Sequence, residues 1–262
     1  MDSTLAKGLR VLEWLARQPE GVRLSEVADA MALARSNAHR ALQTLVLCGW
    51  AVQDAADSRY RASLKLFELG SLVDGVTDLK TLLHPVLGEL ARTTGETIHL
   101  ARLQGAEILY LDKFDSPLPV AAYSQVGGRA AAHCVASGKA LLAALNLDKQ
   151  ALTGRMGTLQ AHTKNTITQI EQFHADLVRA QARGWAENRE EWRLGVCGLG
   201  APVFNARSEP VAAIGMSVPS IRFTRSRANE LGVQLRDCAL RASAALGFDA
   251  RPPVSALASR KK

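Results

Sequence analysis

The sequence predicts an α+β protein. Helices and a strand pair come first, and helical segments join them to an antiparallel sheet flanked by helices. Three observations carry that expectation. Residues 24–61 show apolar residues at helical spacing, a break, a second helical run, and then two short β runs around a polar tip. Beyond Gly95, paired β runs mix with isolated amphipathic helices, without the strand–helix alternation of a parallel sheet. A chain of 262 residues, 47% of them hydrophobic, is long enough for two modest cores.

The elements follow in order. Leu5, Leu9, Leu12 and Leu15 form the core stripe of a helix over residues 5–18, which Pro19, Glu20 and Gly21 stop. Ser25 is placed to cap the next helix, with Glu26 in its first turn and Val27, Ala28 and Met31 at helical spacing. After a turn through Leu33 and Ala34, Ser36 is placed to cap a helix running to about Cys48. Its buried stripe is Ala38, Leu42, Leu45 and Val46. Gly49 ends that helix, residues 50–52 begin a strand, 54–58 turn, and Arg59, Tyr60 and Arg61 begin the return.

This layout is that of a winged helix-turn-helix. The exposed start of its second helix carries Arg35, Ser36, Asn37, His39, Arg40 and Gln43. Arginine pairs with guanine and Asn or Gln with adenine in a major groove, and either can hold a phosphate. Arg59 and Arg61 would touch flanking backbone from the hairpin. The expected partner is therefore double-stranded DNA.

Residues 65–73 read as a connecting helix and 79–92 as another, with Pro85 near its start or kinking it. Leu66, Leu69, Leu72, Leu79, Leu82 and Leu83 suit either a dimer partner or packing within the chain. The expected organisation is a DNA-binding domain over 1–75, a second domain over 76–250, and a disordered basic tail over 251–262. In the second domain, 97–103 and 108–114 read as a hairpin and 120–123 as a strand, followed by a loop over 126–132. Helices are expected at 137–145, 166–183 and 224–246, and strands at 185–188, 198–205 and 211–218.

Composition bounds the function. No run approaches 18 apolar residues and the start has no basic or apolar leader, so neither a membrane span nor a signal peptide is expected. The four cysteines, Cys48, Cys134, Cys197 and Cys238, lie far apart, which suits a reducing cytoplasm and argues against a disulfide framework or zinc site. The net charge of +7 is not a DNA-binding signature in itself, because residues 1–75 hold nine basic and nine acidic groups. The local signal is stronger: no acidic residue lies between Ala30 and Gln53. The neutral balance of the first domain argues against a non-specific binder.

These stretches resemble the IclR family of bacterial transcriptional regulators. The resemblance runs through Lys7-Gly8-Leu9-Arg10-Val11-Leu12, Leu24-Ser25-Glu26-Val27-Ala28, Ser36 to Leu42, Leu64 to Gly70, His133 to Ala143, Arg183-Gly184-Trp185 and Val211 to Ser217. It covers nearly the whole chain in order. It implies a GAF-like effector-binding domain after the helix-turn-helix, and a ligand-responsive regulator of a catabolic operon that assembles as a dimer or dimer of dimers on an inverted repeat. It also implies that Ala136, Ser137, Asn188, Gly198, Gly215 and Ser217 line the ligand site, with apolar walls at Ala122, Ala130 and Val196. Members often carry an acid at the position of Asn188, a cysteine at that of Gly198 and a serine at that of Gly215. The small residues here suggest a roomy cavity and a ligand larger than a two- or three-carbon acid, such as a sugar acid or an aromatic acid.

The rival reading is a GAF-like enzyme. It fails to assemble a nucleophile, base and orienter: His133 and Cys134 are adjacent and, on a strand, would point to opposite faces. His84 and His99 suit packing, and His162 and His174 lack a ligand set around them. Lys139 follows Ser137-Gly138 without the glycine-rich loop that cradles phosphate. No catalytic residue, metal or cofactor is expected.

Overall fold

The computed structural model describes residues 3–71, 76–119 and 124–249. The chain divides into two compact units, Met1–Thr77 and Asp78–Lys262. Among the described residues, no helix is long and apolar enough to cross a membrane.

The first unit contains α1 (Ser3–Leu15), α2 (Leu24–Ala30), α3 (Arg35–Leu47), the strands β1 (Ala51–Gln53) and β2 (Tyr60–Ala62), and α4 (Lys65–Ser71). Val11, Leu12 and Leu15 of α1 meet Val27 and Ala28 of α2 and Ala38, Leu42 and Leu45 of α3 in one core, closed by Ala51 and Tyr60. Two of the expected stripe residues depart from this: Leu5 and Leu9 are 62% and 51% exposed, and Val11 turns inward instead. Neither serine caps its helix. Arg23 precedes α2, and its N–H donates to the Glu26 carboxylate at 2.7 Å. Ala34 precedes α3, so Ser36 lies inside the first turn. The hairpin registers Ala51 with Ala62 and Gln53 with Tyr60, and Tyr60 also bridges back to Val22.

The second unit is built on a six-stranded sheet. Its strands are β3 (Thr97–Gln104), β4 (Glu107–Phe114), β5 (Arg129–Ala131), β6 (Ala186–Arg189), β7 (Val196–Phe204) and β8 (Pro210–Pro219), in the order β5-β4-β3-β8-β7-β6, every pair antiparallel. The helices are α5 (Val76–Thr94), α6 (Ala136–Ala144), α7 (Lys149–Met156), α8 (Ile170–Arg183) and α9 (Arg225–Ala245). One sheet face supplies Ala101, Ile108, Ala130 and Ala213 to a core with α6, α7 and α8. The long α9 lies against β7 and β8, and its Cys238 thiol reaches the Val86 carbonyl of α5.

Several boundaries differ from expectation for local reasons. α5 begins earlier than expected, and of the two placements open to Pro85 the structure has the interior one, so the Thr81 carbonyl has no amide partner one turn on. The helix expected from 166 begins at Ile170, because Thr166 holds a loop: its hydroxyl accepts from His162 N and donates to the Glu191 carbonyl. The short β5 lies in what read as loop, and α7, capped by Asp148 on Ala151 N, was not anticipated. Residues 72–75, the expected strand at 120–123 and the tail at 251–262 lie outside the described residues.

Candidate functional site

Two surfaces come from this framework. On the first, burial of Ala38 and Leu42 turns the start of α3 outward, leaving Arg35, Ser36, Asn37, His39 and Arg40 exposed on one helical turn and a half. Among the described residues none of Arg35, His39 and Arg40 is ion-paired. Gln43 is half-buried and reaches the Tyr60 hydroxyl at 3.4 Å, which ties α3 to the hairpin. The hairpin arginines are also engaged internally. Arg59 donates to the Gly21 carbonyl at 2.7 Å and lies 3.6 Å from Asp57, and Arg61 lies 3.7 Å from Asp54. Among the described residues of α3 and the hairpin, the arginines without an ion pair are therefore Arg35 and Arg40 on α3.

The second surface is a cavity of about 210 Å³ at the N-terminus of α6. Ala136, Ser137, Asn188, Val196, Gly198 and Ser217 line it, with His99, Tyr110, Arg129, Trp192, Arg193 and the loop 124–128. Cross-strand register explains the grouping, since Asn188 pairs with Gly198, Gly198 with Ser217 and Gly215 with His99. The amides opening α6 bring the positive end of the helix dipole to the cavity.

Ala130 does not line the cavity. It shares the sheet face but is sealed beside Ile108 in the α6 core. Ala122 lies outside the described residues. The glycines do not create spare room either. A Cβ on Gly215 would strike the His99 ring and lie 2.8 Å from Ser137 Oγ, and one on Gly198 would lie 2.6 Å from Asn188 Oδ1. Their missing side chains are already replaced by neighbours.

His99 was missed as a lining residue because its partner Ser137 is remote in sequence. Its Nε2 lies 3.2 Å from Ser137 Oγ, and its ring meets Tyr110 edge-on at 4.8 Å. Burial, reinforced by the Lys113 charge, pulls its pKa down to about 4, so the imidazole is neutral at pH 7. Burial likewise raises the Tyr110 phenol to about 12, keeping it a donor. At the rim, Arg129 is held by Gln104 and Glu107, whereas Arg193 has no carboxylate partner among the described residues.

Lys139 was also unanticipated. It is 1% exposed, and its ammonium lies 2.9 Å from Asp176 and 2.7 Å from Glu191. It is a buried tie between α6, α8 and the loop after β6, not a phosphate ligand.

His133 and Cys134 are not on a strand, contrary to the expectation that they point apart. They occupy a turn ahead of α6, in which Cys134 N–H donates to the Ala131 carbonyl. Unliganded, the Cys134 thiol stays protonated at neutral pH. Burial pushes the Cys134 thiol up to about 12 and raises Cys197 and Cys238 as well. Native protein at neutral pH is expected to take iodoacetamide at the exposed Cys48 alone. Rapid labelling of Cys134 or Cys197, read by peptide mass spectrometry, would revive the enzymatic reading.

Comparison with known proteins places both units. Residues 4–55 match the IclR helix-turn-helix domain model, and residues 73–244 match the model of the bacterial transcriptional regulator IclR C-terminal domain. The HTH-type transcriptional regulator XynR of Escherichia coli is 31% identical over 94% of this chain and 98% of its own. The HTH-type transcriptional regulator KdgR of the same organism is 32% identical, covering 95% of each. Among solved structures, the Thermotoga maritima IclR covers 95% of this chain and all of its own at TM-score 0.77 and 29% identity. An IclR homolog from Microbacterium hydrocarbonoxydans, complexed with 4-hydroxybenzoate, shares the fold at TM-score 0.79 and 23% identity, covering 93% of this chain and 99% of its own. The relatives are named regulators, not enzymes. The chain belongs to the IclR family of bacterial transcriptional regulators, with a DNA-binding helix-turn-helix and a C-terminal effector domain.

Proposed function

We propose that this regulator acts in the cytoplasm on an inverted-repeat operator of a catabolic operon, under the control of a small organic acid of the sugar-acid or aromatic-acid class. The observation that carries the ligand reading is the cavity chemistry. Helix amides and Arg193, which has no carboxylate partner among the described residues, line the cavity, and the neutral His99, Ser137, Ser217 and Asn188 offer partners for hydroxyl groups. A cavity of about 210 Å³ lies below the usual drug-sized range of about 300–1,000 Å³, which suits a single small acid.

Ala136, Ser137, Asn188, Val196, Gly198, Gly215 and Ser217 are assigned to this site. Gly215 acts through the room it yields to His99. Arg35, Ser36, Asn37, His39 and Arg40 are assigned to the major groove, with Arg61 and the more constrained Arg59 beside flanking backbone. Self-association as a dimer or a dimer of dimers draws support from Leu64 and Phe67, 78% and 75% exposed around the start of α4. Two recognition helices would then meet half-sites about 34–36 Å apart.

Selection from randomised duplex DNA by the purified protein tests the reading. Enrichment of an inverted repeat supports it, and no enrichment with or without candidate acids overturns it. On the selected site, Arg40→Ala is expected to cost about 1–3 kcal/mol of specific affinity at fixed salt. An unchanged titration removes Arg40 from the contact set.

A further inference from the structure

We propose that His133, Cys134 and His162 form a binding site for a borderline-soft divalent cation of the zinc class, separate from the effector cavity. A ring nitrogen from each histidine and the Cys134 sulfur all lie within 4.8 Å of one another. Zinc holds nitrogen and sulfur ligands at about 2.0–2.3 Å, so tetrahedral donors sit roughly 3.5 Å apart. His162 is exposed, so its ring has room to turn toward the two buried donors.

The surroundings are those of a prepared ligand set. His133 Nε2 lies 3.0 Å from the Gln160 carbonyl. A carbonyl only accepts, so Nε2 carries the proton and Nδ1 keeps its lone pair. This is the arrangement in which a backbone carbonyl orients a metal-binding imidazole. The loop bearing His162 is pinned. Its own N–H donates to Thr166 Oγ1, Thr163 Oγ1 donates to the Glu190 carbonyl at 2.7 Å, and Thr166 Oγ1 donates to that of Glu191 at 2.7 Å.

Two imidazoles and one thiolate select zinc-like ions over magnesium or calcium, which take oxygen ligands. On binding, the Cys134 S–H bond breaks, its proton leaves to solvent, and the sulfur lone pair forms the metal bond. Solvent at exposed His162 completes the fourth position. The site is also joined to the effector cavity, since the His162 ring lies 4.3 Å from that of Trp192, a lining residue. Occupancy would therefore hold one wall of that cavity in place.

Cobalt(II) titration of the full-length Cys48→Ser protein tests the site, because it removes the exposed competing thiol. One equivalent is expected to produce a thiolate-to-cobalt charge-transfer band and the intense red absorption of four-coordinate cobalt, both bleached by zinc. Adding Cys134→Ser should abolish the charge-transfer band. His162→Ala, at an exposed position that tolerates truncation, should weaken cobalt binding by about 10–100-fold or more. No charge-transfer band in the parent, a band that survives Cys134→Ser, or unchanged affinity in His162→Ala overturns the proposal.

Discussion

Lys139→Met is expected to destabilise the second unit by about 3–5 kcal/mol. Methionine fills nearly the same volume, so the loss is not one of packing. It leaves Asp176 and Glu191, with side chains 15% and 8% exposed, facing each other without the ammonium that lay within 2.9 Å of both. Burial already raises the Glu191 pKa against the opposing pull of Lys139, so the mutant relieves part of the strain by taking up a proton. Urea denaturation at pH 7 reads the loss directly. The triple variant with Asp176→Asn and Glu191→Gln should recover much of it, because neutral groups do not need the buried cation. A loss below about 1 kcal/mol in Lys139→Met would show that the three groups are solvated enough to do without one another.

The second large effect is expected at Gly200. A Cβ there would collide with the Ala136 carbonyl and lie 2.6 Å from Ser137 N. These are backbone atoms of the first turn of α6, so no rotamer can yield. Gly200→Ala must push the helix start off the sheet, and overpacking of this kind costs about 1–3 kcal/mol. It also shifts Ser137 away from His99, opening the base of the cavity. Gly154→Ala is the contrast: a Cβ at this position inside α7 would have nothing within 4 Å, and the exchange should be neutral or stabilise slightly. Equal urea midpoints for the two variants would show that α6 does not dock as closely as the backbone indicates.

The first unit was largely legible in sequence because its information is local. Ala38, Leu42 and Leu45 repeat at helical spacing, and the same periodicity turns Arg35, Ser36, Asn37, His39 and Arg40 outward. The caps were misplaced by two residues because Glu26 serves a backbone donor that any residue could supply. In the second unit the longer strands announced themselves, but β5, three residues long, and α7 did not, since KQALTGRM carries no apolar stripe. The site was legible only through family resemblance. Its distinctive pairs, His99 with Ser137 and Lys139 with Asp176 and Glu191, are 38, 37 and 52 residues apart. No local pattern links them. Two of the small residues behind the expectation of a roomy cavity add no open space, because His99 and Asn188 occupy the room beside Gly215 and Gly198.

A pocket proposed to hold an acid would meet two signals at once, the anion and the proton. The neutral His99 separates the two signals. In the unfolded chain this histidine titrates near its ordinary 6.5, and in the folded unit only near 4. Between those values the unfolded state binds more protons, so the folded unit gains stability as pH rises from 4 to 6.5 and nothing further above it. Near neutral pH the imidazole meets Ser137 in one protonation state. If the cavity holds an anion, as proposed above, His99 adds no protonation step of its own to that binding near neutral pH.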